Sequence, residues 1–139
     1  MTGPVFVDSN VWVYALVASG DRRHGLARAC LVGLCQLPVI NGQVLREVGR
    51  ILRDKARIDE EELRRILERL HAACHLVPDR LELFLRASVL RERSGFSYWD
   101  SLIVSAALES GCVTLYTEDM QHGQVVEGRL TIINPFGPT

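Results

Sequence analysis

The sequence is poor in cysteine and lysine, and it has no excess of either charge. Its four cysteines, at positions 30, 35, 74 and 112, form no C-x-x-C pair, which argues against a structural zinc site or a disulfide framework. We expect free thiols in a reducing cytoplasm. The net charge of −1 gives no global attraction to nucleic acid or to an anionic membrane. Any nucleic-acid contact must therefore come from a local patch.

Long apolar runs are also missing. No run approaches the roughly 20 residues of a membrane span, and no basic segment followed by an apolar stretch opens the chain as in a secretory signal. We therefore expect a cytoplasmic protein without membrane contact. Hydrophobic residues still make up 47% of the 139 positions, enough for a core without cross-links. With no repeat or linker, we expect a single domain over residues 1–139.

Short apolar runs alternate with segments of helical periodicity. The predicted strands cover residues 5–7, 38–40, 75–77, 113–116 and 130–133. The predicted helices run from about residue 11 to 19, from the cap Asp21 through residue 36, and over residues 43–56, 81–94 and 98–110; another is opened by Asp59 and carries an apolar face from Leu63 to Leu70. This alternation predicts an α/β fold, a three-layer sandwich with a central, mostly parallel sheet of four to five strands.

Four acidic residues follow the predicted strands or lie in early helical turns. Asp8 comes directly after the first strand, and Asp119 shortly after the strand ending at Tyr116. Glu47 and Asp100 lie in the first turns of two helices. Because ligands bind at the carboxyl ends of strands in open parallel sheets, these carboxylates are expected to converge. Taken singly, each also has an ordinary interpretation as a helix cap, a first-turn residue, a turn residue or a solvated helix residue.

Converging carboxylates predict a metal site. Several ionised acids within a few ångströms repel one another unless a cation neutralises them. Hard oxygen ligands favour Mg²⁺ or Mn²⁺, which stabilise charge on a phosphoryl oxygen and activate a water molecule. The pattern therefore predicts metal-assisted phosphodiester hydrolysis.

Four segments resemble motifs of a known family. The segments FVDSNVWVY, VLREVGRIL, SYWDSLIVSAAL and LYTEDMQHG are similar to the four acidic motifs of PIN-domain nucleases, in the family's order. The VapC-type toxins of bacterial toxin–antitoxin pairs are the most similar group. The resemblance covers essentially the whole chain. It implies a PIN-like fold, dependence on Mg²⁺ or Mn²⁺, cleavage of single-stranded RNA, a homodimer, and a small antitoxin that covers the site.

The resemblance also implies roles for individual residues. The catalytic and metal-binding acids would be Asp8, Glu47, Asp100 and Asp119. Ser9, where the family often has threonine, would bond to a carboxylate or help to orient water near the substrate. Glu118 competes with Asp119 for the role of fourth acid, and we favour Asp119.

A basic stripe lies beside Glu47 on the same predicted helix. Its members, spaced by four, three and four residues, are Arg46, Arg50, Arg53 and Arg57. They could form a phosphate track, for which Arg46 and Arg50 are the candidate substrate-binding residues. The alternative is a solvated helix face paired with Asp54 and nearby acids.

Aromatic residues and a histidine near the motifs have competing interpretations. Tyr98 and Trp99, which precede Asp100, could stack on an RNA base, although core packing is more usual at a helix start. Trp12 is expected to pack in the core or at a dimer face. His122 is expected to stabilise a turn rather than to act as a base.

Other functions are less consistent with the motifs. A haloacid-dehalogenase-like phosphatase needs a second aspartate two residues after the first, where this chain has Asn10. A response-regulator receiver domain needs an acidic pair and a late lysine, and both are missing. A stand-alone RNA-processing nuclease and a non-catalytic PIN-type binding module both remain alternatives.

Overall fold

A six-stranded sheet forms the centre of the protein in a computed structural model that describes residues 3–137. The strands are β1 (Val5–Val7), β2 (Val39–Asn41), β3 (His75–Val77), β4 (Thr114–Tyr116), β5 (Val125–Val126) and β6 (Leu130–Ile133). Their order is β3-β2-β1-β4-β6-β5. Every pair is parallel except β5 with β6. The predicted α/β fold with a mostly parallel sheet is thus confirmed.

Strand β5, which brings the sheet to six strands, was not predicted. It has only two residues and pairs with β6 through a tight hairpin. Three residues, 127–129, separate the paired Val126 and Leu130. Glu127 and Gly128 both have positive φ, at 52° and 65°, as a type I′ turn requires at its two central residues. A strand of two residues has no periodicity to detect, so the sheet has one strand more than the predicted maximum of five.

Six helices connect the strands. They are α1 (Ser9–Leu16), α2 (Arg22–Val32), α3 (Gly42–Asp54), α4 (Glu60–Ala72), α5 (Leu81–Ser94) and α6 (Tyr98–Glu109). The first two end earlier than predicted. Val17 has extended backbone angles, and Gly33, a poor helix former, closes α2.

The helices lie in two layers because of the connections they make. From β1 to β2 and on to β3 the chain moves one way along the sheet, whereas from β3 to β4 it returns past β1. Right-handed crossovers therefore place α1 to α4 on one face and α5 with α6 on the other. Accordingly, α1 packs on α2 and α3, and α5 packs on α6.

Helix α6 is the most deeply buried helix. All residues from Ser101 to Leu108 are buried, and the Ser105 hydroxyl donates to the carbonyl oxygen of Leu83 on α5. Only the two ends of α6 reach the surface. Its first turn, which carries Asp100, is therefore presented from a rigid support.

No helix within residues 3–137 has both the length and the apolar character needed to cross a bilayer.

Candidate functional site

The sheet has a switch point between β1 and β4. The chain leaves β1 towards β2 and leaves β4 towards β6, on the opposite side. Connections that diverge in this way open a crevice at the carboxyl ends of the two strands. Val7 pairs with Tyr116, and the Asp8 N–H donates to the Tyr116 carbonyl at 3.0 Å. Asp8 and Thr117 therefore face each other across this crevice.

Asp8 is buried and held from both sides. One carboxylate oxygen accepts a hydrogen bond from the Ser9 backbone N–H at 2.7 Å. The other accepts from the Thr117 hydroxyl at 2.9 Å. Burial raises the pKa of Asp8 from 3.8 to about 6; the two hydrogen bonds oppose the rise, and the nearby Glu47 and Asp119 charges add to it. Its ionised form is thus costly without a compensating positive charge.

Glu47 reaches the cluster from α3. Its two oxygens accept hydrogen bonds from the Ser9 hydroxyl at 2.8 Å and from the Gln43 side-chain amide at 3.1 Å. The helix begins at the right place because Asn41, the last residue of β2, caps it by accepting from the Val44 N–H at 3.2 Å. The Ser9 hydroxyl therefore connects the acid on α3 with the loop after β1.

Asp100 enters from the first turn of α6. Ser97 caps this helix by accepting from the Asp100 backbone N–H at 3.1 Å. The pKa of Asp100 is raised, first by partial burial and then by the charges of Asp119 and Glu47. The carboxylate therefore lies within electrostatic reach of acids on two other elements.

Asp119 and Glu118 have different partners. One oxygen of Asp119 accepts from the Asn10 amide at 3.0 Å. The same Asn10 side chain accepts from the Glu118 backbone N–H at 3.1 Å. The Glu118 carboxylate instead forms an ion pair with Arg23 at 2.9 Å, and Arg23 also binds Asp21 at 2.7 Å. Glu118 thus secures α2 to the loop after β4, whereas Asp119 is tied to the loop of Asp8.

Three polar residues that organise the acids were not identified from the sequence. Thr117 and Asn10 connect Asp8 with Asp119, because the Asn10 amide also donates to the Thr117 hydroxyl at 3.3 Å. Gln43 supports Glu47. Thr117 carried one usable signal, since a polar residue directly after a buried strand lies at the carboxyl edge of the sheet. Gln43 carried another, since it lies four residues before Glu47 on one predicted helix, but its contact with Trp99 depends on how α3 approaches α6.

The arginine stripe divides into two parts. Arg53 pairs with Asp54 at 2.8 Å and with Glu60 at 3.2 Å, and Arg57 lies beyond the end of α3 with a positive φ of 59°. Arg46 and Arg50 are exposed, and within residues 3–137 neither has an ion pair or a hydrogen bond from its guanidinium. The solvated, paired interpretation therefore applies to Arg53 only.

The aromatic residues near the motifs differ in exposure. Trp12 is buried, as expected, and its indole N–H donates to the Val7 carbonyl at 3.1 Å. The expectation that Tyr98 and Trp99 pack in the core is wrong, because 53% and 64% of their surfaces are exposed. The first turn of α6 projects from the sheet, so residues before Ser101 lie outside the core. His122 accepts from the Asn134 N–H, the turn contact that was predicted.

The thiols have no part in this site. Cys74 and Cys112 are buried and Cys30 is partly buried, all as free thiols. Burial raises the pKa of Cys30 to about 11 and that of Cys74 and Cys112 to about 12. Cys35 is exposed.

The residues present fit a hard divalent cation by their chemistry. The acids offer only carboxylate oxygens, and burial, with a smaller contribution from repulsion between the acids, raises the pKa of Asp8 and Asp100. Within residues 3–137 no three His, Cys, Asp or Glu side chains are arranged as a ready-made ligand set, because each acid is turned towards a hydroxyl or amide donor. Asp8, Glu47, Asp100 and Asp119 are the acids that such a cation would draw together.

Comparison with known proteins identifies the fold. Solved structures that match include VapC20 from Mycobacterium tuberculosis, a toxin that cleaves the sarcin–ricin loop, at 21% identity and a TM-score of 0.65, covering 80% of this chain and 86% of that one. A toxin–antitoxin complex from Klebsiella pneumoniae matches at 14% identity and a TM-score of 0.74, covering 95% and 97%. FitAcB from Neisseria gonorrhoeae matches at 14% identity and a TM-score of 0.71, covering 95% of this chain and 98% of that one.

No match was found among curated protein sequences. The family model of the PIN domain matches residues 5–127, which is most of the chain and includes all four acids. The resemblance noted in the sequence is thereby confirmed: the chain belongs to the PIN domain family.

Proposed function

We propose that the protein is an Mg²⁺- or Mn²⁺-dependent endoribonuclease that cleaves single-stranded RNA. The observation that carries the proposal is the linked set of acids at the switch point. Glu47, Ser9, Asp8, Thr117, Asn10 and Asp119 form one hydrogen-bonded series. Asp100 is coupled to this series by charge. Such a group of acids weakens the fold in the absence of a cation, since Asp8 is buried and the charges of Glu47 and Asp119 repel its ionised form.

The acids would hold the cation, which would stabilise charge on a phosphoryl oxygen and lower the pKa of a water molecule. Asp8 provides the buried ligand, fixed in orientation by Ser9 and Thr117. The Ser9 hydroxyl holds Glu47 in place and fixes the distance between Glu47 and Asp8. Asp119 is the fourth acid in this proposal because Glu118 is engaged by Arg23. Arg46 and Arg50 bind backbone phosphates on the α3 side.

The direct test compares RNA cleavage by the wild type with that by Asp8→Asn. The variant keeps the shape of the side chain and removes its charge. We expect Mn²⁺-dependent cleavage of total cellular RNA by the wild type and a loss of about 100-fold or more in the variant, the size typical of a lost transition-state contact. Asp54→Asn, which removes an exposed carboxylate on the same face of the sheet, is the matched control and should retain activity. Equal cleavage by wild type and Asp8→Asn would refute the proposal.

We further propose that the protein is the toxin of a toxin–antitoxin pair, acts in the cytoplasm and forms a homodimer. Support comes from the fold shared with VapC20 and with the Klebsiella pneumoniae toxin–antitoxin complex. A cleft of about 530 Å³ between α1 and α3 offers a partner site beside the acids. Its apolar lining includes Val13, Val17 and Ile51, and its polar lining includes Asn10 and Glu118.

Growth tests separate a toxin from a housekeeping nuclease. Expression should arrest growth, and co-expression of the small protein encoded next to the gene should relieve the arrest. Ile51→Lys, which places a charge in the cleft, should weaken that relief, whereas Leu81→Lys on the exposed side of α5 should not. If growth arrest is the same with and without the neighbouring protein, a stand-alone RNA-processing nuclease is favoured. Light scattering at known concentration tests the homodimer.

A further inference from the structure

An exposed aromatic cleft adjoins the acidic cluster. Its volume is about 280 Å³, and its lining includes Gln43, Arg46, Phe84, Tyr98 and Trp99. Trp99 directly precedes Asp100 in the first turn of α6. It is the more exposed of the two tryptophans, at 64% against 6% for Trp12. A large aromatic side chain left in water beside a polar site is typical of a ligand-binding surface.

The Trp99 ring is supported in place. Tyr98 contacts it edge to face, with ring centroids 5.1 Å apart and an interplanar angle of 90°. Tyr98 is itself covered by the Arg91 guanidinium, 4.8 Å from its ring centroid. Arg91 is fixed by donating to the Ser101 hydroxyl at 2.7 Å. Tyr98 is thus engaged within the fold, and Trp99 presents the available aromatic surface.

A free cation lies at the same cleft. The Arg46 guanidinium has no ion pair or hydrogen bond within residues 3–137, unlike Arg53 on the same helix. It lies over Gly42, where an added Cβ would be 3.2 Å from its Nη1 atom. A glycine at this position leaves room for the guanidinium to lie along the helix start. An unpaired guanidinium that lines the same cleft as an aromatic ring complements one nucleotide, with a base for the ring and a phosphate for the cation.

The cleft is linked to the acids through one side chain. The Gln43 amide donates to Glu47 at 3.1 Å and to the Trp99 carbonyl oxygen at 3.5 Å. Trp99 also directly precedes Asp100, so a base stacked on it would lie one residue along the chain from an acid of the cluster. This proximity favours RNA over a protein segment as the occupant.

We propose that Trp99 is a stacking platform for one base of the single-stranded RNA substrate and that Arg46 binds the adjacent phosphate. The inference rests on the proposed nuclease function and adds to it a base-stacking residue, Trp99, that acts next to the phosphate contact of Arg46. Stacking does not distinguish strongly between bases, because each has an aromatic face. Trp99 therefore supplies affinity and register, and sequence selection lies elsewhere in the site.

Binding is tested with a 5′-fluorescein-labelled pool of random-sequence single-stranded RNA, in the Asp8→Asn background to prevent turnover. Trp99→Leu should weaken binding about 10-fold, within the range for loss of one base–aromatic stack. Trp99→Phe keeps a ring and should stay close to the parent. Arg46→Gln should weaken binding and lower the slope of log affinity against log salt by about one. Val32→Gln and Arg64→Gln, both exposed and neither among the residues that line the cleft, are the matched controls and should have no effect.

Two further measurements separate a contact with RNA from a structural role. RNA should quench the emission of Trp99, since Trp12 is buried, and Trp99→Phe should abolish this quenching. With catalytically intact protein, Trp99→Leu should raise KM with little change in kcat, as expected for binding that is equal in ground and transition states.

The outcomes distinguish this inference from the proposed function. If the wild type cleaves RNA and Trp99→Leu has the same KM and the same RNA affinity, the proposed role of Trp99 is overturned and the nuclease function stands. Conversion of a dimer to a monomer by Trp99→Leu, with RNA affinity unchanged, would show that a second copy covers the cleft and would also overturn it. RNA binding through Trp99 without cleavage by the wild type would support the inference and refute the nuclease. No RNA binding by any variant would refute both.

Discussion

Replacing Asp8 with asparagine should stabilise the metal-free protein at neutral pH. Burial raises the pKa of Asp8 from 3.8 to about 6 in the folded state. The folded protein therefore binds more protons than the unfolded chain between these values, and stability falls as the pH rises through about 6. At about 1.4 kcal/mol for each unit of pKa, the ionised Asp8 costs the folded state about 3 kcal/mol.

The asparagine removes this cost without changing the shape of the side chain. Its oxygen can accept from the Ser9 N–H as Asp8 does, and its amide can donate to the Thr117 hydroxyl, which reverses the present bond. For 139 residues the entropy of unfolding is about 0.3 kcal/mol/K. A gain of about 3 kcal/mol then raises Tm by roughly 10 °C.

The assay is thermal and urea unfolding in EDTA from about pH 4 to about pH 8. Asp8→Asn should be more stable than the wild type at the upper end, and the two should converge at the lower end, where Asp8 is protonated in both states. Mn²⁺ should raise Tm of the wild type and leave that of the variant nearly unchanged. Asp54→Asn, an exposed control, should shift stability by less than about 0.5 kcal/mol. A variant that is less stable than the wild type at about pH 8 in EDTA would refute the reasoning.

Three further predictions concern neighbouring groups. Asp119→Asn should reduce cleavage at least about 10-fold, whereas Glu118→Gln should retain it, because Glu118 is paired with Arg23. A cleavage assay in which Glu118→Gln loses more activity than Asp119→Asn would show that Glu118 is the fourth acid. Thr117→Val removes the hydroxyl that stabilises ionised Asp8, so the pKa of Asp8 should rise further and the pH profile of cleavage should move to higher pH, with Thr117→Ser restoring it. Mn²⁺ affinity by calorimetry should increase as the pH rises through about 6, since the cation displaces the proton of Asp8; affinity that does not change over this range would show that Asp8 is not a ligand.

The central features of the fold were predictable from local patterns. Strands such as Val5–Val7 are short buried runs bounded by polar residues, and α6 is opened by Ser97 and closed near Gly111. These signals depend on a few adjacent residues. The two-residue strand β5 has no such pattern, and it forms only because β6 offers an edge and Gly128 permits the turn.

The candidate site was predictable where placement follows from the sheet. Asp8 lies directly after a strand and Asp100 in the first turn of a helix, so general rules for parallel sheets apply to both. The contacts of Asn10 and Thr117, and that of Gln43 with Trp99, join residues 56 to 109 positions apart, and no local pattern reports such pairs. The exposure of Trp99 likewise depends on how far the first turn of α6 extends beyond the core.

The most direct test of the central claim is the chemistry of the RNA ends made by the purified protein. If the acids hold a cation that activates water, the oxygen added to phosphorus comes from solvent. Cleavage in ¹⁸O-labelled water should then place the label on the product phosphate, leave no 2′,3′-cyclic phosphate, and stop in EDTA. Cleavage that persists in EDTA, or that yields a cyclic phosphate through the RNA's own 2′-hydroxyl, would contradict the account.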